Sequence, residues 1–349
     1  MELYDLGKMP WHESQLIYHA LANLGRESLV LVSPSTPYVC IGYHQDVSHE
    51  VDVDFCQCHG VPIFRREVGG GAVYLDGDQL FVQLILRQGN PSVPLRKEAF
   101  YRKFLQPIIN VYHRVGIPAE YKPVNDVVVK SRKISGSGVG EIGECIAFVG
   151  NLILDFDYRM MSRILKVPDE KFRDKVQKSI ADNLTTIRRE LGDSEAAHWN
   201  EARLNGLLVE EFEKLLGSFV PRQKDTKLQA KVEELGSRML SNTWLHRQGR
   251  RAHCRRIKVR SEVTVKHKMH KAPGGLIRAD FEIRDGKFAN VSISGDFFCY
   301  PEDAITQLES GLEGRKTAEI YSILEGFYGG QDIEIPGITI DDWMKALEA

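Results

Sequence analysis

The stretch Arg65–Asp76, RREVGGGAVYLD, decides how the first half of this chain is read. An apolar run, Val61 to Phe64, precedes it and reads as a strand, and a second strand-like run follows. Between them stand three consecutive glycines, Gly69, Gly70 and Gly71. Such a triplet weakens a strand interior through lost entropy and absent side-chain packing, so it is expected where main chain must approach something closely. Arg65 and Arg66, immediately upstream, point to an anion met by backbone N–H groups and guanidinium forks. A hairpin or bulge would use the same glycines, and the stretch alone leaves both readings open.

A second motif lies further along. Asn125-Asp126 leads into the strand-like Val127–Val129, followed by KSRKISGSG from Lys130 to Gly138. Lys133 thus stands two residues before a Ser-Gly-Ser-Gly turn. Small residues bring main chain close to a ligand, and lysine supplies a mobile point charge for a phosphate or a developing oxyanion. This is not a Walker P-loop, because the lysine precedes the glycines. Nor is it a dinucleotide fingerprint, since no strand feeds directly into a GxGxxG turn.

Taken in order, RR-x-x-GGG-A-V, the Asn125-Asp126 pair, K-I-S-G-S and the block Gly150–Asp157 (GNLILDFD) resemble the lipoate–protein ligase family. The segment from Ala272 to Phe298 resembles the accessory domain that such ligases carry. The resemblance implies a biotin/lipoyl-ligase-like α/β (α+β) catalytic domain, with mixed β-sheets flanked by helices, over residues 1–220. It implies a small α+β accessory domain over 221–349, with a linker about 217–228.

Composition agrees with a soluble enzyme. The length of 349 residues suits about two domains. Hydrophobic residues at 42% and charged residues at 27% are ordinary for a globular protein. No apolar run approaches the roughly 18–20 residues that span a bilayer, and the start MELYDLGKMP has neither a basic region nor an apolar core like a signal peptide's. A formal net charge of −2 gives no global attraction to nucleic acid, and six scattered cysteines suit a reducing cytoplasm. The expectation is a cytoplasmic protein with no nucleic-acid or membrane partner.

Periodicity places helices over 12–24, 95–115, 158–165, 169–179, 183–191 and 201–216, and strands over 28–33, 38–42, 79–87 and 146–156. Past the Gly- and Pro-containing junction come a helix over 227–240, strands over 256–266, 276–284 and 287–294, and two helices. Asp285-Gly286 between the last two strands is a hairpin signal, because the dipeptide readily takes positive φ.

The chemistry implied by the resemblance has two steps: ATP and lipoate (or octanoate) give an acyl-AMP, lipoyl-AMP for lipoate, and the acyl group then passes to a lysine of a lipoyl-carrier protein. A carboxylate attacking the α-phosphate must overcome anion–anion repulsion, which requires positive charge and backbone donors around both. Lys133 is the expected catalytic group. Arg66, Gly69, Gly70, Gly71 and Ala72 are expected to cradle phosphate or the acyl-adenylate, with Ser135, Gly136, Ser137 and Gly150 on the nucleotide side. Asp126 is the expected Mg²⁺ ligand, as a hard cation prefers carboxylate and phosphate oxygens, with Asn125 orienting its neighbours.

The chain departs from the family pattern at two blocks. Leu75 stands where many ligases carry a histidine before Asp76, and Phe148-Val149-Gly150-Asn151-Leu152 replaces their H-H-G-T-L. Both changes put apolar bulk for imidazole near the expected pocket. They leave two readings open: altered acyl-chain fit or acceptor choice, and lost or changed activity. The chain reads as a divergent branch, for which a dedicated acceptor, by analogy a lipoate-binding protein of sulfur oxidation, is one expectation. The competing readings are an octanoyl or lipoyl transferase using Cys145, which is flanked by Glu141 and Glu144, and a silent adenylate- or carrier-binding module. Cys56, Cys58 and His59 lack the spacing of metal ligands and suit a helix end. The basic run Arg247–Lys271 reads as a solvated face or a docking patch for an acidic carrier.

Overall fold

The computed structural model describes residues 1–94, 96–167, 169–248, 263–329 and 333–348. Its largest sheet has six strands in the order β10 (Ser137–Ile142), β11 (Cys145–Ile153), β6 (Gln79–Arg87), β2 (Ser28–Pro34), β1 (Glu2–Met9) and β12 (Val220–Pro221). The central strands read as near-continuous apolar runs because helices cover both faces. On one face lies the helix Trp11–Asn23, whose Ser14 carbonyl accepts from Gln83 Nε2 of β6 at 2.7 Å. On the other lies Lys97–Arg114, whose Phe100 and Phe104 meet Phe148 of β11. Side chains alternate across a strand, so Phe148 and Gly150 share the second face while Val149 and Asn151 share the first.

Two three-stranded sheets complete this part. β4 (Ile63–Arg65), β3 (Tyr38–Ile41) and β5 (Val73–Leu75) form one, with Tyr38 opposite Leu75. β7 (Glu120–Lys122), β8 (Asp126–Val129) and β9 (Arg132–Ser135) form the other. The β8–β9 register slips between Val127 and Val128, so that Val127 faces Ser135 and Val128 faces Lys133. Such an irregularity re-aims side chains, and here it falls on the strand that carries Lys133.

The third small sheet comprises β13 (Val263–Ala272), β14 (Gly275–Arg284) and β15 (Lys287–Gly295). The hairpin between β14 and β15 turns at Asp285 and Gly286, with φ of 50° and 70°, the left-handed pair its sequence announces. Helices Ala304–Leu312, Ile320–Gly329 and Ile340–Ala346 enclose a core around the fully buried Trp343, Phe297 and Ile293. The strand expected over 256–266 falls partly outside the described residues, and its described part begins at Val263.

The chain divides into two compact units in an interleaved way. The first holds residues 1–40, 52–64 and 73–240, the second 41–51, 65–72 and 241–349. The expected linker at about 217–228 therefore lies inside the first unit, because the helix Thr226–Met239 buries Leu228, Val232, Leu235 and Met239 and packs on Trp11–Asn23. The sequence periodicity shows that this helix is amphipathic but not which partner takes its apolar stripe.

Candidate functional site

Lys133 is held through its main chain before its side chain matters. It sits on β9 between β8 on one side and the segment 184–185 on the other, where Thr185 N donates to its carbonyl at 2.8 Å. Its Nζ lies 2.6 Å from Asp126 Oδ1, and the two side chains are 38% and 29% exposed. An ammonium so placed keeps solvent access and a charge-assisted partner.

The turn after Lys133 is pinned at both ends. Asn125 Nδ2 donates to the Ser137 carbonyl, and Ser137 Oγ returns a bond to the Asn125 carbonyl at 2.6 Å. Gly136 N donates to Asn151 Oδ1 at 2.9 Å, and Ser135 Oγ reaches the same oxygen at 3.4 Å. Asn151 Nδ2 in turn donates to Gln79 Oε1 at 3.2 Å, and Gln79 Nε2 to the Tyr74 carbonyl at 3.1 Å. In the sequence Asn151 stands out only as part of a diverged block. A lone amide in the apolar run IAFVGNLIL was the available signal, since an unpaired polar group there would be costly.

Other expected residues take different places. Gly150 lies on the face of β11 turned to the helix Lys97–Arg114, where an added Cβ would meet Ile108 Cδ1 at 2.8 Å. Phe148 is fully buried against Phe100 and Phe104 on that same face. Neither shares the face of Asn151, so the bulk that replaces the family histidine at Phe148 fills core. Leu75 is buried on β5. Beside it, Asp76, Asp78, Asp155 and Asp157 line an open bowl of about 540 Å³, and burial raises the Asp76 carboxyl above its usual range.

The glycine loop belongs to the second unit, together with Arg65, Arg66 and Ala72. Here the close approach predicted by the triplet is made to main chain. Gly70 N donates to the Phe297 carbonyl at 3.2 Å, and an added Cβ on Gly69 would lie 2.7 Å from that oxygen. A Cβ on Gly42 would stand only 1.9 Å from Gly70 O. Gly70 itself has φ of 91°. The Arg66 guanidinium folds back onto the loop, donating to the carbonyls of Gly69 at 2.7 Å and Gly71 at 2.9 Å.

Arg65 is fully buried and grips three carbonyls: Leu245 at 2.7 Å, Tyr43 at 2.8 Å and Gly42 at 3.1 Å. Burial, reinforced by Arg247, pulls its guanidinium down to about 9. Next to it His44 stacks on Phe297 at 5.1 Å and is also buried. Neither His44 ring nitrogen has a hydrogen-bond partner among the described residues. Sequence reasoning missed Gly42, His44 and the anchoring role of Arg65, since nothing local shows that residues 41–51 and 65–72 meet residues beyond 241.

Cys145 is buried at the start of β11, where burial raises its thiol above the usual range. Gly150 lies five positions further along the strand, roughly 17 Å away. A nucleophilic cysteine needs an electropositive and partly exposed setting, and Cys145 lacks the exposure. No group of three His, Cys, Asp or Glu residues able to hold a metal occurs among the described residues. Cys56 and Cys58 lie on the helix Val53–Cys58, and burial pushes the Cys56 thiol up to about 11. In the basic run, residues 249–262 lie outside the described residues; His267 pairs with Asp280 at 2.5 Å and His270 with Asp342 at 2.7 Å.

Residues 9–213 match the model of the lipoyl protein ligase A/B catalytic domain, and residues 262–347 match that of the bacterial lipoate protein ligase C-terminus. The chain belongs to the lipoyl protein ligase A/B family. It is an enzyme of the ligase class.

Among curated relatives, lipoate–protein ligase 1 of Staphylococcus aureus is 26% identical over 90% of this chain and 84% of its own. Lipoate-protein ligase LplJ of Bacillus subtilis is 27% identical over 86% and 85%. Octanoyltransferase LipM of Kyrpidia tusciae is 24% identical over 68% of this chain and 92% of its own. Among solved structures, P. falciparum LipL1 in complex with lipoate aligns with a TM-score of 0.68 at 15% identity, covering 95% of each chain. The bi-partite lipoate protein ligase of Thermoplasma acidophilum, described with its E2 lipoyl domain, gives 0.61 at 23% identity over 74% of this chain and 98% of that one. Lipoate-protein ligase A bound with ATP gives 0.58 at 21% over 70% and 98%. The fold of this lipoyl ligase family member is therefore the lipoate-ligase fold. No helix of the described residues is long and apolar enough to cross a membrane.

Proposed function

We propose that the chain activates lipoate, or octanoate, with ATP and transfers the acyl group to a lysine of a lipoyl-carrier protein. The observation that carries this reading is the Lys133 ammonium, fixed on Asp126 at 2.6 Å beside a turn of small residues. The family match, the similarity to lipoate–protein ligases, and the likeness to ligase structures described with ATP, with lipoate and with an E2 lipoyl domain support it.

In the first step a carboxylate oxygen of the acid attacks the α-phosphorus of ATP. The bond to the bridging oxygen breaks and pyrophosphate leaves. Lys133 supplies the positive charge that offsets repulsion between carboxylate and phosphate, and its charge then favours electron density on the anhydride's carbonyl oxygen. In the second step the neutral amine of the acceptor lysine attacks that carbonyl carbon. The C–O bond to AMP breaks, the nitrogen loses a proton, and an amide remains. No covalent enzyme intermediate is needed, which agrees with the burial of Cys145.

Mg²⁺ fits this residue set in a limited way. Asp126 offers one carboxylate, already shared with Lys133, so an ion there would draw its remaining ligands from nucleotide phosphates and water, the usual habit of Mg²⁺. When bound it would neutralise phosphate charge. Arg66 and the amides of Gly69–Gly71 remain the proposed grip on phosphate or acyl-adenylate. For that role Gly70 N must exchange the Phe297 carbonyl, and Arg66 the Gly69 and Gly71 carbonyls, for the ligand.

ATP–pyrophosphate exchange tests the reading. Lipoate-dependent exchange that disappears in Lys133→Ala is the expected result, followed by acyl transfer to a supplied carrier domain. The same assay run with lipoyl domains of dehydrogenase complexes and with dedicated carriers separates the two acceptor classes. Absence of exchange with both lipoate and octanoate would overturn acid activation.

A further inference from the structure

We propose that Asn151 is a positioning residue for the activation step, holding the Ser135–Ser137 turn against the Lys133 side chain. The inference rests on the functional reading above and adds a residue to it. β11 is apolar through Cys145–Ile153 apart from this one amide, and Asn151 is only half-buried there. An amide in such a strand is tolerated when its bonds are satisfied. All of its bonds go to one small region: it accepts from Gly136 N at 2.9 Å and Ser135 Oγ at 3.4 Å, and donates to Gln79 Oε1 at 3.2 Å.

The contact with Lys133 is close. A Cβ built on Gly136 would lie 3.2 Å from Lys133 Cε and 3.4 Å from Nζ. The turn is thus the surface on which the end of the lysine rests. Its other end is tied to Asn125, the neighbour of the carboxylate that holds the ammonium. Lys133, Asp126, Asn125, the turn and Asn151 form one linked arrangement, and Asn151 ties it to the large sheet. Its partner Gln79 is 2% exposed and is itself fixed on the Tyr74 carbonyl, so the tie is rigid.

Two functional consequences follow from the geometry. Gly136 N–H is committed to Asn151 Oδ1, so Gly136 contributes by support and not by donating to phosphate. Loosening the turn displaces the ammonium where charge develops, and a misplacement of about 1 Å can cost roughly a hundredfold. A contact that matters in the transition state lowers kcat while leaving KM little changed.

The test is a double-mutant cycle in lipoate-dependent ATP–pyrophosphate exchange. Asn151→Ala is expected to lower kcat by about ten- to a hundredfold with KM for ATP and lipoate within about threefold. In a Lys133→Arg background the same change is expected to lower the rate by less than about twofold, because residues acting as one unit are not additive. Asn151→Asp, which keeps an acceptor for Gly136 N–H, is expected to recover part of the lost rate. Hydrogen exchange at residues 132–138 should rise in Asn151→Ala and not in Asn151→Asp. Equal losses in both backgrounds, which a general structural defect produces, overturn the inference, as does wild-type kcat in Asn151→Ala. Wild-type protein without lipoate-dependent exchange overturns the functional reading, and the role of Asn151 with it.

Discussion

Lys133 Nζ and Asp126 Oδ1 stand 2.6 Å apart on neighbouring strands, with a register slip between the strands setting the pair. The charge that the proposed reaction needs is thus shared with a carboxylate, and an arriving phosphate competes for it. Lys133→Ala should reduce lipoate-dependent exchange by at least about a hundredfold, the scale of losing one oriented donor. Asp126→Asn should leave a folded protein whose exchange falls about tenfold, and it should raise the Mg²⁺ concentration for half-maximal rate if the carboxylate also meets the ion. An unchanged Mg²⁺ titration curve would confine Asp126 to holding the lysine.

Gly42 is the position least able to take a side chain near the glycine loop. Its added Cβ would meet the Gly70 carbonyl oxygen at 1.9 Å, and main chain has no rotamer with which to yield. Gly42→Ala should destabilise the protein by about 3 kcal/mol, at the upper end of overpacking, and should speed hydrogen exchange across residues 65–72. Urea unfolding together with exchange at those residues checks both outcomes.

Phe148 replaces a family histidine, yet restoring that histidine is not expected to restore anything. Its ring lies among Phe100 and Phe104 at 6.3 and 6.4 Å, fully buried. Phe148→His should cost about 3 kcal/mol through lost packing and a polar ring with no partner. A melting curve should show the loss, and any gain in exchange rate would contradict the core placement.

His44 sets a pH dependence. Burial, with the Arg247 and Arg65 guanidinium groups beside it, pulls its imidazole from 6.5 down to about 3. The unfolded chain takes up the proton below about 6.5 and the folded chain does not until about 3, so the unfolded state binds more protons across that window. Stability from this group is therefore present above pH 6.5 and is lost progressively as pH falls toward 3. His44→Phe should flatten the acid side of the stability curve. At neutral pH it should be neutral or stabilising by about 1 kcal/mol, because it removes two buried nitrogens that lack partners among the described residues. Denaturant unfolding across that pH range, wild type against variant, reads the slope directly.

The legible parts of the sequence were those in which chemistry is local. The Asp285-Gly286 turn, the apolar strands Ser28–Pro34 and Gln79–Arg87, and the main amphipathic helices follow from periodicity and turn propensity. Motif order also groups Lys133, Asn125 and Ser135–Ser137, and the structure brings these residues together, while their roles stay proposals. What stayed hidden depends on pairing across long sequence distance. Asn151 meets Gly136 only because β10 and β11 pair antiparallel with Ser137 opposite Gly150. Arg65 meets Leu245 across an interval of 180 residues. Gly150 reads as a ligand-facing glycine in sequence, whereas the sheet turns it toward Ile108. Strand periodicity separates two faces without saying which of them a ligand sees.

The interleaving of the two units limits how the chain can be divided. The second unit takes residues 41–51 and 65–72 from the first hundred residues and everything from Ser241 onward. A single cut at residue 240 yields a front fragment that carries eleven plus eight residues belonging to the other piece, and a tail from which those strips are missing. Within the tail, Phe297 would lose the stacked ring of His44, and Leu245 the guanidinium of Arg65. No single boundary along the sequence therefore separates the two units. The second unit depends on two short segments, 41–51 and 65–72, that stand far ahead of its main stretch in the sequence.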